Sequence, residues 1–347
     1  MARTRCRIRP LPFCNMRVGT LARTLHYNAM ALQISILIPT YNRPGQLAEA
    51  IASVAAQDLG LIREVLIGDN SNAAMRQENS DVIARSPIAS LITHVRHDPP
   101  QGNFENQWAL AKLAGSDHVL FLHDDDTLAP DGLARLADAA RNEEDERVKV
   151  WFGRNYVMDE KSRVDMATTK TWDALYGKDG PSEARPVWRW CLTQSLPPNS
   201  ALLVRATYLK YMEGTRDGNV GDWGLWVRLA NGGAWGRFVA EYIWSYRVQE
   251  ASQTQSGRGM DIHLWYEIGT QLQVPPEAEA EKLLLVTPKA QVATMRYLRD
   301  GERRRALRCM ASSHWTWRQR LSPRGLTTAL FLLTPRPLWM WTLRYRA

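Results

Sequence analysis

The sequence predicts an α/β protein, with a mostly parallel central sheet flanked by helices and a helical C-terminal appendage. Three observations carry this reading. Short apolar runs alternate with helix-period segments from Gln33 to about Ala140, the spacing of βαβ units. The first run is β-branched and unbroken, as strands buried on both faces are. Polar clusters directly follow three of the runs, at the strand ends where such sheets hold ligands.

The elements follow in order. Ile34-Ser-Ile-Leu-Ile38 is a strand bounded by Pro39, and Thr40-Tyr-Asn-Arg-Pro-Gly45 is a polar turn. Leu47, Ala50, Ile51, Val54 and Ala55 recur at helical spacing, with Pro44 near the helix start. Glu64-Val-Leu-Ile67 is the second strand and ends at Gly68-Asp-Asn-Ser-Asn72. A helix covers Met75 to Ala84, and a third strand covers Leu91 to Val95. Glu105 to Leu113 reads as a helix, and Val119-Leu-Phe-Leu122 as a strand that stops at His123-Asp-Asp-Asp126. Asp131 to Ala140 is helical again. Val150–Phe152, Asn199–Val204 and Gly236–Ala240 are strands of a mixed extension, with a short helix from Asp222 to Leu229. After Ser256 the chain is helical, basic and rich in tryptophan, broken at Pro275–Pro276. The reading divides it into a basic leader (1–32), an α/β domain (33–255) and a helical region (256–347).

Composition narrows the function classes. At 347 residues, 45% apolar and 23% charged, the chain can fold around a substantial core. Its formal charge of +8 sits at the ends. No acidic residue precedes Glu49, and the last stretch carries Arg303, Arg304, Arg305 and Arg308. Basic ends around a near-neutral body fit contact with an anionic surface or a pair of solvated tails. Nucleic-acid binding is disfavoured, because no base-stacking motif is interleaved with arginine in the body. Cys6, Cys14, Cys191 and Cys309 are scattered without a CxxC, which argues against a disulfide scaffold or zinc site and fits a reducing compartment. The leader lacks the apolar core of a secretory signal. A translation start at Met30 or a disordered leader accounts for it, and no run reaches the ~20 apolar residues of a membrane span.

Asp124, Asp125 and Asp126 follow an apolar strand with His123 alone in between. Three adjacent carboxylates repel, so they belong on a solvated turn or around a cation. Their position at the ligand edge favours the cation. Hard oxygen ligands suit Mn²⁺ or Mg²⁺, which also bind a nucleotide diphosphate. No Gly-rich phosphate loop is present to do that work instead.

The run Ile34 to Pro44, the segments Gly68-Asp-Asn-Ser71 and Phe121-Leu-His-Asp-Asp-Asp126, and Gly221-Asp-Trp-Gly-Leu-Trp-Val-Arg-Leu229 together resemble the family-two inverting glycosyltransferases of GT-A fold. The resemblance covers about Gln33 to Thr254. It implies that Pro39, Thr40 and Tyr41 line the base and ribose pocket, and that Asp69 accepts a hydrogen bond from the imide of a uracil or thymine. It places Asp124 near the ribose, Asp125 and Asp126 at the metal, and Asp222 as the base that deprotonates the acceptor. Asn103 and Asn106 approach the donor, although Asn103 serves equally as a helix cap. Arg247 is placed to pair with phosphate.

Three positions depart from the family pattern. His123 stands where an aspartate is usual and is read as a neighbour of the metal, not a ligand. Gly221 replaces a glutamate, and Gln249 a histidine. The implied reaction moves a sugar from a UDP- or dTDP-sugar to a saccharide or lipid-linked saccharide in bacterial envelope or exopolysaccharide synthesis. The rivals are a non-catalytic sugar-nucleotide binder and a nucleotidyltransferase, whose Gly-rich loop is missing. Trp223 and Trp226, one helical turn apart, are candidates for stacking on an acceptor sugar, with core packing as the alternative. Leu326 to Leu343 mixes tryptophan, leucine and arginine, which suits a membrane interface or a packed helix. The expected location is cytoplasmic, with a peripheral contact on the inner face of the membrane.

Overall fold

The structure, a computed structural model, describes residues 32–249 and 261–335. The readings made for the basic leader, and for the tryptophans and arginines beyond Pro335, lie outside the described residues.

In chain order the first strands and helices are β1 (Ile34–Thr40), α1 (Pro44–Ala55), β2 (Ile62–Asp69), α2 (Ala73–Arg85), β3 (Ile92–Arg96), α3 (Asn103–Leu113), β4 (His118–Phe121), β5 (Thr127–Leu128) and α4 (Gly132–Arg141). The mixed half follows with β6 (Val148–Met158), α5 (Met166–Leu175), β7 (Glu183–Pro186), α6 (Val187–Leu192), β8 (Leu202–Val204), α7 (Arg205–Met212), α8 (Gly221–Asn231) and β9 (Trp235–Arg247). Five helices close the described chain: α9 (Ile262–Thr270), α10 (Glu279–Arg299), α11 (Arg303–Ala311), α12 (Trp317–Leu321) and α13 (Pro323–Leu333).

The sheet runs β3-β2-β1-β4-β8-β6-β9-β5, with β7 on β9. Its first four strands are parallel, as expected. From β8 onward it is mixed, because β8 pairs antiparallel with both β4 and β6. Every residue of β1 is buried. Ile34, Ile36 and Ile38 face the core beneath α1 and α4, while Leu37 faces the other core, the period-two division of a strand covered on both sides.

Two differences from the sequence reading matter for the site. The strand expected from Asn199 begins only at Leu202. The Ser200 backbone N–H instead donates to the Phe121 carbonyl at 2.6 Å, and Ser200 takes a left-handed φ of 57°. The C-terminal helices also share a core with the sheet domain. The Trp265 ring stacks on Trp223 at 4.6 Å and 6°, and the Trp223 indole donates to the Trp265 carbonyl at 3.0 Å. Trp265, Val286 and Trp315 belong to the same buried cluster as Leu37 and Phe121. Trp223 is thus fixed by packing against the appendage.

Candidate active site

Strand order reverses at β1: the chain steps outward from β1 to β2 and β3, then returns to place β4 parallel to β1 on its other side. Such a switch point opens a crevice at the carboxyl ends of the strands. Thr40 closes β1 and donates from Oγ1 to Asp124 Oδ2 at 2.8 Å. The Tyr41 N–H donates to the same oxygen at 3.2 Å. Asn42 turns the chain with φ of 56°, a conformation asparagine tolerates. The turn delivers Arg43, whose Nη1 lies 3.2 Å from Asp124 Oδ1 and 2.7 Å from Asp125 Oδ2. Burial nonetheless pushes the Asp124 carboxyl up to about 6, against the pull of Arg43.

The three aspartates hold different posts. Asp126 is 1% exposed. Asn199 Nδ2 donates to its Oδ2 at 2.8 Å, and the Arg247 backbone N–H to its Oδ1 at 2.9 Å. Burial, with Asp125 beside it, holds its carboxyl well above the usual carboxylate range. Antiparallel pairing of β5 with β9 brings Arg247 to this turn. Asp125 faces the crevice, and among the described residues its carboxylate accepts from two long side chains, Arg43 and Gln249, whose Nε2 donates at 2.9 Å. One ligand atom from each of His123, Asp125 and Asp126 lies within 4.8 Å of the others. His123 was read as a neighbour of the metal and not a ligand, and this grouping makes it a candidate ligand. Burial lowers its pKa, which leaves a neutral imidazole able to ligate.

The surroundings of four other candidates, Arg247, Asp69, Asn106 and Asn103, bear on the roles expected of them. The Arg247 guanidinium is enclosed by protein. It pairs with Glu49 at 2.7 Å and donates to the Asp125 carbonyl at 2.7 Å and to Ser162 Oγ at 2.8 Å. It braces the acidic turn at the cavity wall, and Arg43 is a second guanidinium lining the same cavity. Asp69 is fully buried and does not line the crevice. Its carboxylate meets His94 Nε2 at 2.9 Å, Asn79 Nδ2 at 3.0 Å and the Ser71 N–H at 2.8 Å. Burial raises its pKa, but these hydrogen bonds outweigh burial and hold it well below the usual range. Asn70 takes the place facing the crevice and exchanges two hydrogen bonds of 3.0 Å with the Gln101 backbone. Asn106, 1% exposed, donates to the Gly68 carbonyl at 2.8 Å and meets His97 Nε2 at 2.9 Å. Its amide is a brace between β2 and α3. Gly102 is the N-cap of α3, so Asn103 is not the cap.

A cavity of about 440 Å³ occupies the crevice. Pro39, Thr40, Tyr41, Asn103, Asn106, Asp124, Asp125, Arg247 and Asp222 line it, and Asp69 and Asp126 do not. Asp222 stands in the first turn of α8, and burial pushes its carboxyl up to about 6. The structure also explains Gly221. A Cβ there would meet the Phe104 ring at 2.6 Å, so α3 and α8 approach too closely for the usual glutamate. Gly221→Ala is expected to cost about 1–3 kcal/mol through overpacking, read as a lowered Tm, and to impair turnover by shifting Asp222. Unchanged Tm and activity would show that the contact is slack.

Residues 35–187 match the family model described as glycosyl transferase family 2. That segment is similar in sequence to the family, and the fold that contains it is GT-A. Over 104 residues it is 36% identical to abequosyltransferase RfbV of Salmonella typhimurium, covering 30% of this chain and 31% of that protein. Over 98 residues it is 26% identical to an uncharacterized glycosyltransferase of Haemophilus influenzae, covering 28% and 31%. The matches span about a third of the length of these curated relatives. Among solved structures, S. aureus TarS 1–349 in complex with UDP-GlcNAc superposes with a TM-score of 0.53 at 14% identity, covering 85% of this chain and 79% of that one. That likeness concerns the fold.

Proposed function

We propose that the chain is a metal-dependent, inverting glycosyltransferase that moves a sugar from a UDP- or dTDP-sugar to a saccharide acceptor, free or lipid-linked, in cell-surface glycan synthesis. One observation carries the proposal. The base candidate Asp222 and the acidic pair Asp124–Asp125 line one cavity at the switch point of a family 2 fold. Pro39, Thr40, Tyr41 and Asn70 form the nucleotide wall, and Asp124 accepts from the ribose. Asp222 takes the proton of the acceptor hydroxyl as its oxygen bonds to the anomeric carbon. The bond from that carbon to the diphosphate breaks, and its electron pair leaves with the diphosphate. Asp125, with His123 and Asp126, would hold Mn²⁺ or Mg²⁺, which supplies charge stabilisation to the departing diphosphate. Arg43 supports the same charge in the role first given to Arg247. Calorimetry of UDP and dTDP, each with and without Mn²⁺, tests the donor half. Binding that requires the metal supports it, and folded protein that binds neither nucleotide refutes it.

The lipid-linked variant of the acceptor draws on α12 and α13. Trp317 and Leu321, one turn apart, are both 66% exposed. Leu326, Leu330 and Leu333 share one face of α13 and are 57%, 56% and 84% exposed. Arg318, Arg320 and Arg324 are interleaved with them, the pattern of an interfacial helix on an anionic membrane. No helix among the described residues is long and apolar enough to cross one. Co-sedimentation with phosphatidylglycerol vesicles is expected for the wild type and lost in Leu330→Glu/Leu333→Glu. Equal sedimentation of both proteins would remove the membrane contact.

A further inference from the structure

Beyond Asp222 a second cavity of about 300 Å³ continues from the cleft, near the lower end of the ~300–1,000 Å³ of small-molecule sites. Its wall is aromatic. The Trp172 ring lies 5.6 Å from Tyr246 and 5.9 Å from Tyr176, and Trp244 lies 5.8 Å from Tyr246. Trp172 and Tyr246 are half-buried, so each keeps part of its surface open. Asp222 and Tyr246 line both cavities.

One ammonium in this wall makes no ion pair within 4.0 Å among the described residues, although the Asp173 charge acts on it from farther away. Lys178 is 5% exposed and lines the cavity. Its Nζ donates to Asn155 Oδ1 at 3.2 Å, and no carboxylate among the described residues stands within the 4.0 Å of an ion pair. The nearby Asp173 carboxylate is engaged by the Tyr242 hydroxyl at 2.7 Å. The lysine is held in place from both sides, its N–H donating to the Asp173 carbonyl at 2.7 Å and its carbonyl accepting from Arg154 Nε at 2.6 Å. Burial depresses its pKa to about 8, so it is still largely charged at neutral pH. A buried ammonium whose counter-charge lies beyond ion-pair distance is costly, and with one N–H on Asn155 it has two further N–H donors to offer an anion.

We propose that this cavity is the acceptor subsite and takes a saccharide bearing an anionic group, a carboxylate or a phosphate. The anion meets Lys178 while a sugar ring lies against Trp172 and Tyr246 and presents a hydroxyl to Asp222. The proposal rests on the reading of Asp222 as the base, and it adds the chemical class of the acceptor.

The test is a fluorescence titration of the full chain with glucuronate, glucose 6-phosphate and glucose, read on the tryptophans of the cavity. It uses the wild type, Lys178→Met, Lys178→Arg and Trp172→Leu, each checked for fold by circular dichroism and for UDP binding with Mn²⁺. The wild type is expected to bind at least one anionic sugar about tenfold more tightly than glucose, and the better of the two identifies the group. Lys178→Met should bind all three alike, Lys178→Arg should keep the preference, and Trp172→Leu should weaken every sugar. Equal binding of all three sugars by the wild type, or a preference that survives in Lys178→Met, overturns the proposal. If Lys178→Met does not fold, the wild-type comparison with glucose decides. UDP binding separates the two readings. It persists if only the acceptor inference fails, and it is absent if the donor reading fails.

Discussion

Replacement of Asp222 by asparagine is expected to lower kcat for sugar transfer by about 10³-fold, within the ~10²–10⁴ attributable to a general base, and to leave UDP binding unchanged. Asparagine keeps the shape of the side chain at the start of α8 but cannot take the acceptor proton. The pH profile gives an independent check. Burial disfavours the charged carboxylate, which sets the pKa at about 6, against hydrogen bonds from the Trp223 and Asp222 backbone. The active, ionised form therefore fills as pH rises through 6. The wild-type kcat/KM should fall about tenfold per unit below that point and level off above it, and the variant should lack this limb. Stability carries the opposite sign. A carboxyl with a raised pKa binds its proton more tightly in the fold than in the unfolded chain, so its contribution is full below about pH 4 and is lost as pH rises through 6. Asp222→Asn should therefore raise Tm at pH 7.5 and hardly change it at pH 4. A variant that retains turnover, or a wild-type profile flat across pH 6, would remove Asp222 from the base role.

The parallel half of the fold was legible because each strand announces itself locally. Ile34 to Ile38 is apolar except for Ser35, Pro44 starts the helix, and the strand from Val119 ends in acid. The cluster positions followed from the sheet rule, so the meeting of Thr40 with Asp124 was within reach. What the sequence could not convey is which polar side chains are consumed by their neighbours. The Arg247 guanidinium is engaged by Glu49 and Ser162 at the cleft wall, and Asp69 is held away from the cleft by His94 and Asn79. These are contacts between segments far apart in the chain, and a motif records only residue type. Arg43 had a signal that went unused, as the one basic residue in the turn after the first strand. Lys178 had none. It lies in the irregular stretch between α5 and β7, where no periodicity fixes a side chain's direction. The packing of Trp223 on Trp265 was equally hidden, because it depends on how the C-terminal helices fold back onto α8.

Asp125→Ala is expected to weaken Mn²⁺-dependent UDP binding by at least ~100-fold, because even the partners that orient a metal ligand are worth about 10–100-fold. The argument turns on what each aspartate of the triplet does without a ligand. Asp124 is tied to Thr40 and the Tyr41 N–H, and Asp126 to Asn199 and the Arg247 N–H. Removing either leaves buried donors unpaired, at about 1–3 kcal/mol each, so lost binding there would be confounded by lost stability. Among the described residues the Asp125 carboxylate has Arg43 and Gln249 as partners, both long side chains able to withdraw. Its loss should leave Tm nearly unchanged while the metal site loses its cleft-facing carboxylate. Calorimetry with and without Mn²⁺, on wild type and variant, then gives a clear division. If the variant folds and still binds UDP only with Mn²⁺, the metal is held elsewhere. If wild type and variant bind UDP equally well without metal, Arg43 alone neutralises the diphosphate. Asp125 would then serve to hold that arginine in the cleft until the donor arrives.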